Sequence, residues 1–314
     1  MKDFFEEFVN INGIKQYFIH YFRKSDTTVI FLHGGPAQSE AHFLYKTENE
    51  NNNYNLVYYD QRGTGKTYIK NKSSGNEITI EILIDDLKET INYIRNKYKS
   101  KYIILLGHSW GSVLGIEFIK KYSNEVSAYI GIGQVVDIKK GERIAYEHCL
   151  NIVRQSENKK YINKMNALKD YPYCINKDNA YKLLGIFRNI QIKYRLAGYN
   201  KGVLKLLNII FKSPIFSIND LFAPILSLKA NKNLLNYLID YSTYNFLNFD
   251  IPIFFICGMN DWQVPSVLAK EYIDKINATD KDCFFIQNAG HLLNIENTKD
   301  YLAALNIISD RIKY

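Results

Sequence analysis

The chain has 314 residues, 46% of them hydrophobic and 23% charged, so it can bury a large core. Its formal net charge of +8 comes from lysines spread along the whole sequence, with no basic block and no nucleic-acid motif. This pattern argues against a nucleic-acid partner. Residues 1–7 carry three acids where a signal peptide needs a basic segment, and no apolar run is long enough to span a membrane. We therefore expect a soluble, cytoplasmic protein with no membrane partner.

The four cysteines point to neither a metal site nor a redox motif. None of them forms a Cys-x-x-Cys pair, and no histidine stands at zinc-finger spacing; they are Cys149, Cys174, Cys257 and Cys283. We expect no metal and no cofactor.

The predicted elements alternate between strands and helices. Two short strands within 5–22 meet at Asn12-Gly13, a hairpin signal. Apolar runs typical of strands follow at 28–32, 56–59, 102–106, 126–132, 251–257 and 283–286. Between them, apolar residues recur every three or four positions, most clearly over 80–98 and at the end over 302–312. This alternation predicts an α/β fold with a mostly parallel, doubly wound sheet whose ligand site lies at the carboxyl ends of the strands.

One long stretch interrupts the alternation. Residues 135–247 contain several helical patterns and no clear strand run. We therefore predict a core domain formed by 1–134 and 248–314, and a helical cap formed by 135–247 that covers the active edge of the sheet.

A candidate nucleophile follows the run at 102–106. The segment Gly-His-Ser-Trp-Gly at 107–111 fits G-x-S-x-G and is followed by a helical pattern over 112–122. A nucleophile elbow requires this strand–turn–helix setting, with glycines where the sharp turn leaves no room for side chains. We predict that Ser109 is the nucleophile.

The partners of such a serine follow it in the order acid, then histidine. Asp261 and His291 each follow a late strand run, and Gly290 precedes the histidine. A neutral imidazole can accept the serine proton, and a carboxylate can fix its tautomer. The other acids in this region are less suitable, because Asp250 and Asp282 precede strand runs and Asp274 falls in a helical pattern. The remaining histidines lie in the cap, in other motifs or outside the strand ends; they are His20, His33, His42, His108 and His148.

A second glycine-rich motif supplies candidate oxyanion donors. His-Gly-Gly-Pro stands at 33–36, directly after a strand run. Backbone N–H groups aimed at the developing oxyanion stabilise the transition state. We predict that Gly34 and Gly35 contribute one donor from this turn and that Trp110 contributes the other.

The segment Asp-Gln-Arg-Gly-Thr-Gly-Lys-Thr at 60–67 ends like a phosphate-binding loop. That motif requires glycine at position 60, where an aspartate would repel phosphate, and a helix that 68–76 does not suggest. We therefore interpret this segment as a structural loop, in which Asp60 and Arg62 pair beside the oxyanion turn.

Taken together, these motifs resemble the prolyl iminopeptidase branch of the α/β-hydrolases. The resemblance covers 1–134 and 248–314 and depends most on Asp-Gln-Arg-Gly and Ser-Trp-Gly-Ser. It implies an α/β-hydrolase fold and a cofactor-free serine aminopeptidase that releases an N-terminal residue, often proline. The sequence departs from the family at His108 and Ala37, where glycine is usual, and in the cap.

Two other functions stay open at this stage. One is an esterase or amidase acting on small acyl substrates, and the other is a ligand-binding protein without turnover, which an intact set of catalytic motifs disfavours. An aminopeptidase must bind a free ammonium, and burying that charge without a partner is costly. Of the acids that begin the cap, Asp137, Glu142 and Glu147, we predict that Glu142 or Glu147 binds the amine of a short peptide or other small substrate. The oligomeric state is not indicated.

Overall fold

The computed structural model describes residues 4–47, 53–71, 77–198 and 203–312. Within these ranges eight strands form one sheet. The strands are β1 (Phe5–Ile11), β2 (Ile14–Tyr21), β3 (Thr27–Leu32), β4 (Asn55–Tyr59), β5 (Tyr102–His108), β6 (Ala128–Ile132), β7 (Ile253–Gly258) and β8 (Lys281–Ile286), in the spatial order β1-β2-β4-β3-β5-β6-β7-β8. β1 and β2 form an antiparallel hairpin through Asn12 and Gly13, whose φ angles of 45° and 80° suit a two-residue turn.

The remainder of the sheet is parallel. β2 pairs antiparallel with β4, and every further neighbouring pair from β4 to β8 is parallel. The predicted mostly parallel sheet is therefore confirmed. β5, β6, β7 and β8 are adjacent, so their carboxyl ends meet at one edge.

Helices cover both faces of this sheet. They are α1 (Leu44–Thr47), α2 (Gly65–Lys70), α3 (Ile80–Tyr98), α4 (Trp110–Tyr122), α5 (Ile138–Gln155), α6 (Lys159–Asn166), α7 (Ala180–Lys193), α8 (Val203–Phe211), α9 (Ala223–Ser227), α10 (Lys232–Ile239), α11 (Ser266–Lys275), α12 (Leu293–Glu296) and α13 (Thr298–Ile312), with short 3₁₀ helices at Ala41–Phe43, Ser123–Glu125 and Ile218–Leu221. α3, α4 and α11 bury their apolar residues in a cluster on one face, and α1 and α13 pack on the other. This is the doubly wound arrangement. Thr79 caps the amino terminus of α3, where its hydroxyl accepts from the Ile82 N–H.

Six helices, α5 to α10, lie between β6 and β7 in the described part of the chain. α5, α6 and α7 share an apolar cluster of their own, which includes Tyr146, Cys149, Met165 and Phe187. The cap boundaries at 135 and 247 remain a prediction. Among the residues that the structure describes, no helix combines the length and apolarity needed to cross a bilayer.

Candidate active site

Ser109 occupies a sharp turn between β5 and α4. Its backbone has φ 51° and ψ −116°, a conformation that L residues adopt only under strain. The glycines two positions before and after it leave no space for a side chain. A Cβ atom on Gly107 would lie 2.5 Å from the Gly111 carbonyl oxygen, and one on Gly111 would lie 2.0 Å from the Leu32 carbonyl oxygen. The turn therefore needs both glycines, and it holds Ser109 at the carboxyl edge of the sheet.

Asp261 and His291 meet at the same edge, beyond β7 and β8. His291 Nδ1 lies 2.8 Å from Asp261 Oδ2, and both side chains are buried. The other carboxylate oxygen, Oδ1, accepts from the N–H groups of Gln263 at 2.9 Å and Val264 at 2.8 Å. The carboxylate is thus fixed on both sides, so it can hold the imidazole in one tautomer with Nε2 unprotonated.

The competing acids lie elsewhere. Asp282 is within β8, where it pairs with Arg311 at 2.7 Å, and Asp274 pairs with Lys270 on α11 at an exposed position. Asp250 lies before β7, away from the carboxyl edge. Among the described residues, no group of three His, Cys, Asp or Glu side chains converges as a metal site.

Gly133 is a site residue that the sequence analysis missed. It follows β6 with φ 52°, and a Cβ atom there would lie 3.4 Å from both Asp261 Oδ2 and His291 Nδ1. The Ser109 N–H donates to the Ile132 carbonyl at 2.9 Å, immediately before this glycine. Gly133 thus lets the end of β6 approach the Asp261–His291 pair closely. Its place at a strand end was the available signal.

The oxyanion prediction needs a correction at Gly34. The Gly34 N–H donates to Glu40 Oε2 at 3.1 Å, so it is not free to bind an oxyanion. Gly34 is buried, whereas Gly35 is partly exposed. Trp110 is the first residue of α4, and N–H groups in a first helical turn lack intrahelical acceptors. Gly35 and Trp110 remain as the candidate donors.

Gln61 joins the oxyanion turn to the elbow. Its amide nitrogen donates to the His33 carbonyl at 3.1 Å, and its amide oxygen accepts from Trp110 Nε1 at 3.0 Å. The Gln61 N–H also donates to His33 Nε2 at 3.0 Å, so His33 carries its proton on Nδ1, which donates to the Gly34 carbonyl at 2.7 Å. Burial lowers the pKa of His33, consistent with this neutral ring. His33 and Gln61 therefore set the backbone around both candidate donors.

Glu40 and His108 form an ion pair that is buried at His108 and partly buried at Glu40. His108 Nδ1 lies 2.6 Å from Glu40 Oε1, and Nε2 lies 2.9 Å from the His291 carbonyl oxygen. Both ring nitrogens face acceptors, so both carry protons. Burial alone would lower the pKa of His108, but the Glu40 carboxylate outweighs it and raises the pKa. In turn, burial opposes ionisation of Glu40, and His108 outweighs it to lower the pKa of that carboxyl. The pair links the oxyanion turn, through Gly34, to the His291 backbone.

The predicted pairing of Asp60 with Arg62 is wrong. Arg62 pairs with Asp86 on α3, at 2.8 Å from Nε to Oδ2. Asp60 instead accepts from the Ser39 hydroxyl at 2.6 Å, and its second oxygen accepts from the Lys66 N–H at 2.7 Å. The Asp60 carboxylate thus occupies the first turn of α2, where a phosphate-binding loop would hold phosphate. The rejection of nucleotide binding follows from this contact as well as from the sequence.

The three cap acids have different environments. Asp137 caps α5, where its carboxylate accepts from the Lys140 N–H at 2.8 Å. Glu147 has a side chain that is 58% exposed and pairs with Arg143 one turn away, so it is a surface acid and cannot serve in a buried pocket. Glu142 is buried and is bound by Arg188 and by the Tyr171 hydroxyl. It already has Arg188 as a cationic partner, whereas the sequence analysis assigned it or Glu147 to the substrate amine.

Helix α7 connects this cap pair to the Asp261 loop. Arg188 Nη1 donates to Gln191 Oε1 at 2.7 Å, and Gln191 Nε2 donates to the Trp262 carbonyl at 2.6 Å. The carbonyls of Leu196 and Ala197, just after α7, accept from the N–H groups of Trp262 at 3.1 Å and His291 at 2.8 Å. The end of α7 is therefore hydrogen-bonded to the loops that carry both candidate partners of Ser109.

Comparisons with known proteins agree with this architecture. The family model described as Serine aminopeptidase, S33 matches residues 23–184, just over half of the chain. A probable aminopeptidase of Bacillus subtilis is 24% identical over 279 residues, which cover 85% of this chain and 84% of that protein. A proline iminopeptidase of Saccharolobus solfataricus is 30% identical over 118 residues, 37% of this chain and 36% of that protein.

The fold is also that of solved members. The crystal structure of a proline iminopeptidase from Mycobacterium smegmatis superposes with a TM-score of 0.67 at 14% identity, over 98% of both chains. The resemblance that the sequence motifs indicated is therefore confirmed. The chain is a serine hydrolase with the α/β-hydrolase fold, and it belongs to the S33 serine aminopeptidase family.

Proposed function

We propose that this serine hydrolase is an aminopeptidase of the proline iminopeptidase type, which releases the N-terminal residue of small peptides. The observation that carries the proposal is the buried Asp261–His291 hydrogen bond at the sheet edge where the elbow presents Ser109. The choice of substrate is supported by the relatives, which are known as a probable aminopeptidase and a proline iminopeptidase.

The proposed reaction proceeds through an acyl-enzyme. Ser109 Oγ attacks the carbonyl carbon of the scissile amide while His291 Nε2 accepts its proton. The imidazolium then gives this proton to the leaving amine as the C–N bond breaks. Water, deprotonated by His291, attacks the ester carbonyl carbon. The C–O bond to Ser109 then breaks, the imidazolium returns the proton to Ser109 Oγ, and the N-terminal residue is released. Asp261 stabilises the imidazolium in both steps.

Gly35 and Trp110 are the proposed oxyanion donors. Two observations support this choice. The Gly34 N–H already donates to Glu40, and Trp110 is the first residue of α4, where an N–H has no intrahelical acceptor. Two N–H donors that converge on the developing oxyanion lower the barrier, typically by about 3–4 kcal/mol for each donor.

Glu142 is the one predicted cap acid that the proposal retains for the substrate amine. It is buried, and it belongs to the network that runs through Arg188 and Gln191 to the Asp261 loop. Because Arg188 already neutralises it, an ammonium would have to share the carboxylate with a second cation. The proposal therefore requires that Glu142 bind the substrate ammonium and Arg188 at the same time.

The test compares a free prolyl-arylamide with its N-acetylated counterpart and with a short acyl ester. We expect wild-type protein to prefer the free amine strongly and Glu142→Gln to lose part of that preference, whereas the exposed Glu147→Gln serves as the matched control and behaves like wild type. Equal rates on free and acetylated substrates would overturn the aminopeptidase proposal and favour an esterase or amidase.

Ser109→Ala tests the nucleophile separately from the substrate. It should reduce kcat by about 10⁴–10⁶ and abolish labelling by a fluorophosphonate, since the attacking oxygen is gone. Thermal unfolding should stay close to wild type, because the turn already accommodates small residues. Persistent labelling and turnover in this variant would contradict the assignment of Ser109.

A further inference from the structure

The segment from α8 to α9 exposes an unusual amount of apolar surface. Seventeen large hydrophobic side chains are exposed in the described residues, and eight of them fall within 204–228. Leu204 is 82% exposed, and Ile218 and Ile225 are each 69% exposed. The six that are more than half exposed are Leu204, Phe211, Ile218, Phe222, Ile225 and Leu226, and we call these six the apolar cap face. A concentration of this kind marks a binding surface more often than chance exposure does.

The inner side of this segment is fixed to the core domain. Lys66 Nζ donates to the Ile215 carbonyl at 2.6 Å, and the Tyr68 hydroxyl donates to the Leu226 carbonyl at 2.9 Å. The Ser227 hydroxyl donates to the carbonyl of Ala37 at 3.3 Å, beside the oxyanion turn. Ile209 and Ile215 are buried on this inner side. The segment is therefore anchored at several points, and the apolar cap face is its outer side.

The exposed charged side chains of this segment are all positive. Lys205 directly follows Leu204, Lys212 directly follows Phe211, and both lysines are exposed. Asp220 is the only acid in the sequence from 203 to 232. Its side chain is buried, lies 3.4 Å from His42 Nε2 and accepts from the Ser217 N–H, so it faces the core domain. The outer side thus combines large apolar residues with lysines.

From this combination we propose that the apolar cap face binds the surface of an anionic lipid bilayer. Apolar side chains that reach the acyl boundary, together with lysines that face acidic headgroups, are the features of an interfacial membrane-binding segment. In this arrangement the bilayer contacts the outer side of α8 and α9. This departs from the sequence-based expectation of no membrane partner, because the charge spread along the chain did not show which lysines share a surface with exposed apolar residues.

The test is co-sedimentation of the full chain with vesicles of phosphatidylcholine, with and without phosphatidylglycerol. We expect binding to the anionic vesicles, weakening as salt is added, and little binding to the neutral ones. Lys205→Gln combined with Lys212→Gln should weaken binding about 25-fold, since each lysine near an anionic surface contributes about fivefold. Leu204→Glu combined with Ile225→Glu should abolish it.

Matched controls separate this surface from the rest of the chain. Ile307→Glu places the same charge on an exposed apolar residue of α13, and Lys160→Gln removes an exposed lysine of α6; both should bind like wild type. Thermal unfolding shows that each variant is folded. Binding that is equal on neutral and anionic vesicles, or unaffected by the Leu204 and Ile225 changes, overturns the proposal. So does a concentration-dependent dimer that these changes dissociate when no vesicle binding occurs, because the face then joins two copies.

Discussion

The carboxyl edge of the core sheet, which we call the core edge, contains one ion pair, and the cap contains another. The two pairs differ in what they contact. Glu40 and His108 touch the backbone of the oxyanion turn and of His291. Glu142 and Arg188 bind each other within the cap, and hydrogen bonds through Gln191 join Arg188 to the Asp261 loop. Charge at the core edge is thus placed against the candidate reacting groups, whereas charge in the cap chiefly joins helices. Substitutions at the core edge should therefore be able to change the catalytic rate as well as stability, whereas substitutions of the cap pair should chiefly change stability.

Among the substitutions that compare the core edge with the cap, Asp261→Asn should have the largest effect on rate. An asparagine favours the wrong imidazole tautomer of His291, which costs about 10⁴ in kcat for such a pair. Stability should change little, because an amide can keep the hydrogen bonds from Gln263 and Val264. Steady-state kinetics beside thermal unfolding checks both. A near-wild-type rate would show that another residue is the catalytic acid partner of His291. The contrast in rate between the core edge and the cap would then fail.

Arg188→Met should show the opposite pattern. It leaves Glu142 buried without its cation, which costs about 3–5 kcal/mol of unfolding free energy. Urea denaturation measures the loss, and the rate of the folded fraction should fall far less than in Asp261→Asn. Glu147 is exposed and lies on α5, the same helix as Glu142. The unfolding free energy of Glu147→Gln should therefore stay within about 0.5 kcal/mol of wild type. A stable Arg188→Met protein with a collapsed rate would show that the cap pair acts in catalysis.

Glu40→Gln should make stability less dependent on pH. The folded-state pKa of His108 is raised above 6.5, so its contribution is fully present below 6.5 and is lost as pH rises through the folded value. The folded-state pKa of Glu40 is lowered below 4.5, so its contribution is fully present above 4.5 and is lost as pH falls through the folded-state pKa. We expect a loss of about 1.5–3 kcal/mol between these limits, typical of hydrogen bonds to charged groups.

The measurement is urea denaturation of wild type and Glu40→Gln across this pH range and above it. The difference in unfolding free energy should be largest between pH 4.5 and 6.5 and should shrink in alkaline solution. Asp274→Asn, which removes an exposed pair with Lys270, should give a small difference at every pH. A constant difference between wild type and Glu40→Gln would mean that the pair is not ionised as described.

Substitutions of two glycines should give the smallest changes in stability. Gly133→Ala should cost about 1–2 kcal/mol, because φ is 52° and an L side chain is strained there. Gly185 lies inside α7, and a Cβ atom there would meet no neighbouring group within 4 Å, so Gly185→Ala should stabilise the cap by about 0.5–1 kcal/mol. Thermal unfolding of both variants measures the contrast. Equal effects would mean that the core edge is no more constrained than the cap.

The sequence by itself determined the order of the elements and the edge at which the chemistry gathers. Short apolar runs followed by Ser109, Asp261 and His291 were sufficient, because parallel strands bring their carboxyl ends together whatever the details of packing. The glycines around Ser109 were likewise readable, since the elbow is a local backbone requirement.

Only the tertiary structure decided which side chains pair. Arg62 lies two residues from Asp60 yet binds Asp86, and Glu40 reaches His108 across 68 positions of sequence. Glu142 finds Arg188 on a different helix, 46 positions away. Partners of this kind depend on how helices and loops pack against one another, and no local spacing encodes that packing. The same reason explains why the exposed apolar residues of α8 and α9 could not be told from buried ones in the sequence alone.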